Sequence, residues 1–139
     1  MTYLGIDFGT VRIGVAISDS EGKIAMPLCQ FRNEGDEKAA QRLSQLAAQY
    51  GARAIVVGLP LNMDGSRGRQ AQRVAAFAQK LKNCSAIPVV MQDERLSTTA
   101  ALDALDGAFR GAGRTERLDA VAAQMILQRW LDSRREPAV

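Results

Sequence analysis

The stretch Tyr3-Leu4-Gly5-Ile6-Asp7-Phe8-Gly9-Thr10 decides how this chain is read. It is a short apolar run interrupted by one carboxylate and closed by a Gly-Thr turn. A second apolar run, Val11 to Ile17, follows almost at once. Two such runs joined by so tight a turn predict a β-hairpin. An ionised side chain inside the first strand is costly unless something compensates it. A bound metal ion or a phosphate-handling site would be such compensation. A purely structural carboxylate is harder to justify at the middle of a strand.

Working outward, Lys23 to Phe31 reads as a third strand after a Glu21-Gly22 turn. Asp36 is placed to cap a helix whose apolar positions Ala39, Leu43, Leu46, Ala47 and Tyr50 fall at helical spacing, with Gly51 ending it. Ala54 to Val57 is a β-branched run expected to be a buried strand, stopped by Gly58-Leu59-Pro60. Beyond the Gly-rich stretch Asn62 to Gly68, Ser66 is expected to cap a helix reaching about Lys82, with Ala71, Val74, Ala78 and Leu81 inward. Pro88 to Met91 is the last expected strand. Ser97 or Thr98 caps a helix to about Asp106, and 109–117 is a basic, Gly-containing loop. Leu118 to Leu131 is a final helix, and 133–139 a frayed polar tail. Three strands in a meander followed by alternating helix and strand predict one α/β domain over 1–139. Its sheet would be mixed and five-stranded, with helices on both faces.

Composition narrows the chemistry. There is no histidine, which removes Ser-His-Asp triads, Cys-His pairs and His-ligated zinc. Acid–base work falls to carboxylates, Lys, Tyr or metal-bound water. Cys29 and Cys84 lack metal-type spacing and read as reduced residues of a cytoplasmic protein. The N-terminus lacks a signal-peptide layout, and no apolar run approaches the roughly 20 residues that span a bilayer, so no membrane partner is expected. Net charge is +3, and arginine outnumbers lysine 14 to 4. The guanidinium fork suits phosphate, and the balance leans toward a polyanion.

Three acids stand at element ends or in apolar contexts: Asp7, Glu94 with its neighbour Asp93, and Asp119. Asp119 is expected in the first turn of the last helix. Its i+4, i+7 and i+11 partners Ala123, Ile126 and Trp130 set it on an inward stripe. If the first and last strands lie side by side, the three acids can converge. Oxygen ligands without histidine favour Mg²⁺ or Mn²⁺, and two such ions can drive phosphodiester hydrolysis. The plain readings are a helix-dipole charge at Asp119 and an ion pair of Asp93 or Glu94 with Arg95.

Around these acids lie groups suited to phosphate. Thr10 and Arg12 flank Asp7; Gly65, Ser66 and Arg67 open a helix; Arg95, Ser97 and Thr98 open another; Arg114 and Arg117 precede Asp119. Each alone is an ordinary cap or surface charge. No stretch matches a Walker P-loop. Trp130 and Tyr50 read as packing rather than base-stacking platforms.

These residues resemble the YqgF/RuvX family of RNase H-like proteins, from Leu4 to Leu131. The resemblance rests on Leu4-Gly5-Ile6-Asp7-Phe8-Gly9-Thr10 with Arg12-Ile13-Gly14-Val15-Ala16, and on Val57-Gly58-Leu59-Pro60 through Asp64-Gly65-Ser66. It continues in Asp93-Glu94-Arg95-Leu96-Ser97-Thr98 and in Asp119-Ala120-Val121-Ala122-Ala123 with Ile126-Leu127-Gln128. It implies an RNase H-like fold and a metal-dependent nuclease site with Asp7, Glu94 and Asp119 as the acidic triad. Asp93 is the substitute if strand register turns it inward. It also implies a role in 5′-end maturation of pre-16S ribosomal RNA; some members are read as Holliday-junction resolvases. The family's Lys-Gly-Lys-like stretch is here Arg114-Thr115-Glu116-Arg117-Leu118, which keeps part of the charge and adds Glu116.

Structured RNA is thus the favoured partner and branched DNA the alternative, with the chain a monomer or, for a resolvase, a homodimer. Two rival classes stand beside the nuclease: a non-catalytic RNA- or transcription-associated module, and an actin-like ATPase lobe sharing Asp7-Phe8-Gly9-Thr10. The second would need another lobe and another phosphate loop.

Overall fold

The computed structural model describes residues 1–94 and 114–134, with backbone alone for 114–118. It contains strands β1 (Thr2–Phe8), β2 (Arg12–Ser18) and β3 (Ala25–Arg32), helix α1 (Asp36–Tyr50), strand β4 (Ala52–Leu59), helix α2 (Arg69–Cys84), strand β5 (Val89–Asp93) and helix α3 (Arg114–Arg134). The strands form one sheet ordered β3-β2-β1-β4-β5. β1–β2 and β2–β3 pair antiparallel; β1–β4 and β4–β5 pair parallel. The sheet is mixed and five-stranded, as expected. β1 and β5 are not adjacent, however, since β4 lies between them.

Alternation along the strands divides the core in two. Leu4, Ile6, Phe8, Ile13, Val15, Ile55 and Val57 face α1 and α2, where Leu43, Phe77 and Leu81 are fully buried. Tyr3, Ala16, Ala54 and Val56 face α3, against Ala123, Ile126, Leu127 and Leu131. Asp7 shares the α3 face.

Several boundaries move for local reasons. The Asp19 carboxylate accepts the amides of Lys23 and Ile24, which delays β3 to Ala25. Gly35, not Asp36, caps α1. The buried Asp36 side chain instead meets Arg73 Nη2 at 2.5 Å and Lys80 Nζ at 3.1 Å, joining α1 to α2. Ser66 does not cap α2, which begins at Arg69 after Gly68; its hydroxyl donates to Asp64 Oδ1 at 2.6 Å. β5 runs to Asp93 rather than stopping at Met91. α3 starts at Arg114, so Arg114 and Arg117 lie on helical backbone rather than in a loop, and Ser133 belongs to the helix rather than to a tail. The expected helix from Ser97 or Thr98 falls outside the described residues.

α3 lies close to the sheet because the strands beneath it carry glycine. A Cβ on Gly5 would stand 2.5 Å from Leu127 Cβ and 2.9 Å from the Ala123 carbonyl oxygen. At the start of the edge strand, two helix glutamines add polar ties. The Ala25 amide donates to Gln128 Oε1 at 2.8 Å, and Gln124 Nε2 donates to the Ala25 carbonyl at 3.0 Å. The far end of α3 is held by Trp130, edge-on to Tyr3 at 5.0 Å, with the Arg134 guanidinium over both rings.

Gly5→Ala is therefore expected to force α3 off the sheet and cost about 1–3 kcal/mol. The measurement is a urea unfolding curve, with a lower midpoint at unchanged slope. A midpoint equal to wild type would show that the helix is not set by this contact.

Candidate active site

Asp7 projects from the last third of β1 toward α3. Its antiparallel partner across the strand pair is Gly14. On the other side Val57 pairs with Ile6, and Gly58 comes next on β4. The carboxylate thus stands in a trough whose two walls lack side chains. These glycines position the remaining acids. A Cβ on Gly14 would lie 1.9 Å from the Asp119 carbonyl oxygen, so the α3 backbone rests on that strand position and carries Asp119 beside Asp7. A Cβ on Gly58 would meet Ile126 Cδ1 at 2.5 Å and Glu94 Cγ at 3.3 Å. Glu94, just past β5, therefore reaches toward Asp7 across β4 through the space Gly58 leaves. This explains how acids on non-adjacent strands approach one another.

Asp119 is the sixth residue of α3, in its second turn, so the helix-dipole explanation loses its basis. Of the adjacent acids at the end of β5, Glu94 is buried, at 6% exposure, while Asp93, the last strand residue, is exposed opposite Leu59. Glu94 Oε2 lies 3.6 Å from Arg129 Nη1, and Asp119 Oδ2 lies 4.0 Å from Arg12 Nη1. Arg129 was not legible as a site residue. It is an exposed residue of α3, three residues beyond Ile126.

The electrostatics follow from this crowding. Burial, then the nearby charges of Asp119 and Glu94, raise the Asp7 carboxyl from 3.8 to about 6. Asp119 is also raised, by burial, with Arg12 pulling the other way. Among the described residues, no set of three or more acidic, Cys or His side chains stands in metal-ligating geometry. The acids are within electrostatic reach but are not drawn together, and guanidiniums lie beside two of them. The donor set itself fits a hard cation: every candidate donor atom is a carboxylate oxygen, and positive charge would offset the burial and the repulsion that raise Asp7.

The expected phosphate contacts divide. Arg12 lies at the site. Thr10 is exposed in the β1–β2 turn, and Arg67 is exposed before α2. Gly65 and Ser66 are engaged within their own loop: the Gly65 amide donates to the Asn62 carbonyl, and the Ser66 amide to Asp64 Oδ1. Those amides do not stand open for an anion. Arg95, Ser97 and Thr98 lie outside the described residues, as do the side chains of Arg114 and Arg117. A cavity of about 310 Å³ lies between α1 and α2, lined by Glu37, Lys80 and Cys84 among others, on the opposite face from Asp7.

The profile of the RuvX family, described as Holliday junction resolvase, matches residues 1–133. The chain belongs to the RuvX family. This is a family of nucleases, hydrolases of phosphodiester bonds. A relative from Chloroflexus aggregans is 44% identical over 98% of this chain and 96% of its own length. One from Thermoanaerobacter pseudethanolicus is 40% identical over 97% and 99%. Both bear the provisional name of pre-16S rRNA nuclease. Among solved structures, RuvC of T. thermophilus in complex with a Holliday junction substrate superposes with a TM-score of 0.58 at 15% identity. It covers 96% of each chain. The fowlpox virus resolvase with Holliday junction DNA gives 0.60 at 10% identity, over 98% of this chain and 100% of its own. The RNase H-like fold of the RuvX members is thereby shown for this chain.

The raised Asp7 carboxyl has a signed consequence. Its folded value lies above its unfolded value, so its contribution to stability is full below pH about 4 and lost as pH rises through about 6. In chelator, Asp7→Asn is expected to stabilise the fold by about 3 kcal/mol at pH 8, and by nothing near pH 4. Thermal melts across that range check it. Mg²⁺ or Mn²⁺ should raise the melting temperature of wild type at pH 8 and leave the variant unmoved. A cation-independent wild type would remove the site.

Proposed function

We propose that this chain hydrolyses phosphodiester bonds of structured RNA in the 5′-end processing of pre-16S rRNA. The site is Asp7, Glu94 and Asp119, with Mg²⁺ or Mn²⁺ as the cofactor. The observation that carries this reading is the glycine-walled trough: Gly14 and Gly58 admit Asp119 and Glu94 to the side of Asp7. Full-length relatives bearing the rRNA nuclease name support the substrate.

Bound there, a divalent cation supplies Lewis-acid activation of water and of the phosphate. The chain does the placing. Asp7 is carried by a strand that is paired on both sides, β2 on one and β4 on the other. Asp119 and Glu94 complete the oxygen donors from a helix and a strand end. Arg12 and Arg129, each about two-fifths exposed and each beside one acid, are placed to take phosphate oxygens as substrate arrives. The acids must be ionised to hold a cation, so proton and metal compete at Asp7 as pH falls through about 6. Substrate shape and backbone are recognised rather than base edges.

The family's description favours a second reading, resolution of four-way DNA junctions. That reaction needs two active sites and hence a homodimer.

The test offers labelled pre-16S RNA and a four-way DNA junction with Mg²⁺ or Mn²⁺. Asp7→Asn should lower the rate of RNA cleavage by about 10²–10³-fold or more, since a lost metal ligand removes several kcal/mol of transition-state stabilisation. Equal rates would sink the metal-nuclease reading. Cleavage confined to the junction, by a sedimenting dimer, would replace the RNA reading with the second.

A further inference from the structure

Arg12 and Arg32 are directly opposite each other in the β2–β3 register, one pair along from Ile13 and Phe31. Residues opposed in an antiparallel pair share a face of the sheet. Ile13 is buried in the α1–α2 core and Phe31 packs against it. The neighbouring pair Arg12 and Arg32 therefore points to the α3 face, the face of Asp7. The ion pair of Arg12 with Asp119 agrees. Both arginines are exposed. β3 is the edge of the sheet, and Arg32 is its last residue. The glutamine ties of α3 to β3 lie at the opposite end, at Ala25. Among the described residues, no acidic group stands within ion-pair distance of Arg32.

Like charges facing across a strand pair repel and destabilise the sheet. Here nothing described offsets the second arginine, and both project beside a site that takes a polyanion. We propose that Arg12 and Arg32 form a phosphate-binding rung. It would guide the nucleic-acid backbone from the acidic site across β2 to the open edge of β3. Arg32 is the residue that the family resemblance and the motif pattern do not assign. Its guanidinium would meet a phosphate flanking the scissile one, with Arg12 between. The inference rests on the nucleic-acid substrate reading.

The experiment uses the full chain in an Asp7→Asn background, so that binding is read without cleavage. Fluorescence anisotropy is followed over a salt series with a labelled structured RNA and, separately, a labelled four-way DNA junction. Arg32→Ala should weaken binding roughly three- to tenfold at 0.1 M salt. It should also reduce the slope of log affinity against log salt by about 0.7–0.9, one phosphate contact. Arg32→Lys should keep most of the slope. Arg53→Ala, the same charge loss at the far end of the sheet beside Ala52, should keep both. Retained affinity and slope in Arg32→Ala overturn the rung, as does an equal loss in Arg53→Ala. The probe that responds more strongly names the nucleic acid. Cleavage by the chain with native Asp7 reports on the nuclease reading separately: it can succeed while the rung fails, and the reverse.

Discussion

The structure depends on how closely the backbone of α3 can approach the sheet. Glycines at 5, 14 and 58 remove the methyl groups that would hold it off, and at Gly14 the approach is to the peptide of Asp119 itself. Two effects oppose each other across this contact. Burying Ile126, Leu127 and Leu131 favours docking by about 1.5–3 kcal/mol per side chain. Burying the Asp7 carboxyl, and crowding it against Asp119 and Glu94, disfavours it by about 3 kcal/mol. The apolar term is the larger. The fold can therefore hold three acids near one another without a partner cation, and the repulsion remains available to favour one.

That balance also explains the shape of the site. Among the described residues it is a trough between glycines, and a cavity between α1 and α2 lies on the other face. A polymer backbone laid along a surface needs no enclosing pocket. What it needs is charge placed at intervals, and the arginines beside Asp119 and Glu94 stand at the rim of the acidic trough. Held against the acids, they also limit the field that an incoming phosphate meets.

Much of this was legible in the sequence, and the reasons are physical. The short apolar runs of β1 and β2, and the β-branched run of β4, report burial on both faces, so the strands were found. Asp7 stood out because a mid-strand carboxylate is costly. What the sequence hid was partnership. The interposition of β4 between β1 and β5 is a long-range pairing without local signature. The turn chemistry of Asp19 and the diversion of Asp36 to Arg73 and Lys80 depend on groups remote in the chain or competing nearby. Ser66 looked like a cap because Ser before a helix commonly is one, yet Asp64 takes both its amide and its hydroxyl. Gly14 and Gly58 were visible as letters, and glycine inside a strand does signal a close approach. Only the coordinates show that the approaching groups are those that carry Asp119 and Glu94.

The glutamine ties at the start of β3 bear on a different hazard. An edge strand with unsatisfied amides and carbonyls is a template on which another chain can add. Here Gln128 takes the Ala25 amide, Gln124 donates to its carbonyl, and Pro27 offers no amide at all. The first part of this border is thus closed to intermolecular β-pairing by side chains of a helix that lies across the sheet. Resistance to aggregation is consequently linked to helix docking: a chain whose last helix lifts would expose an acidic trough and an adhesive strand together.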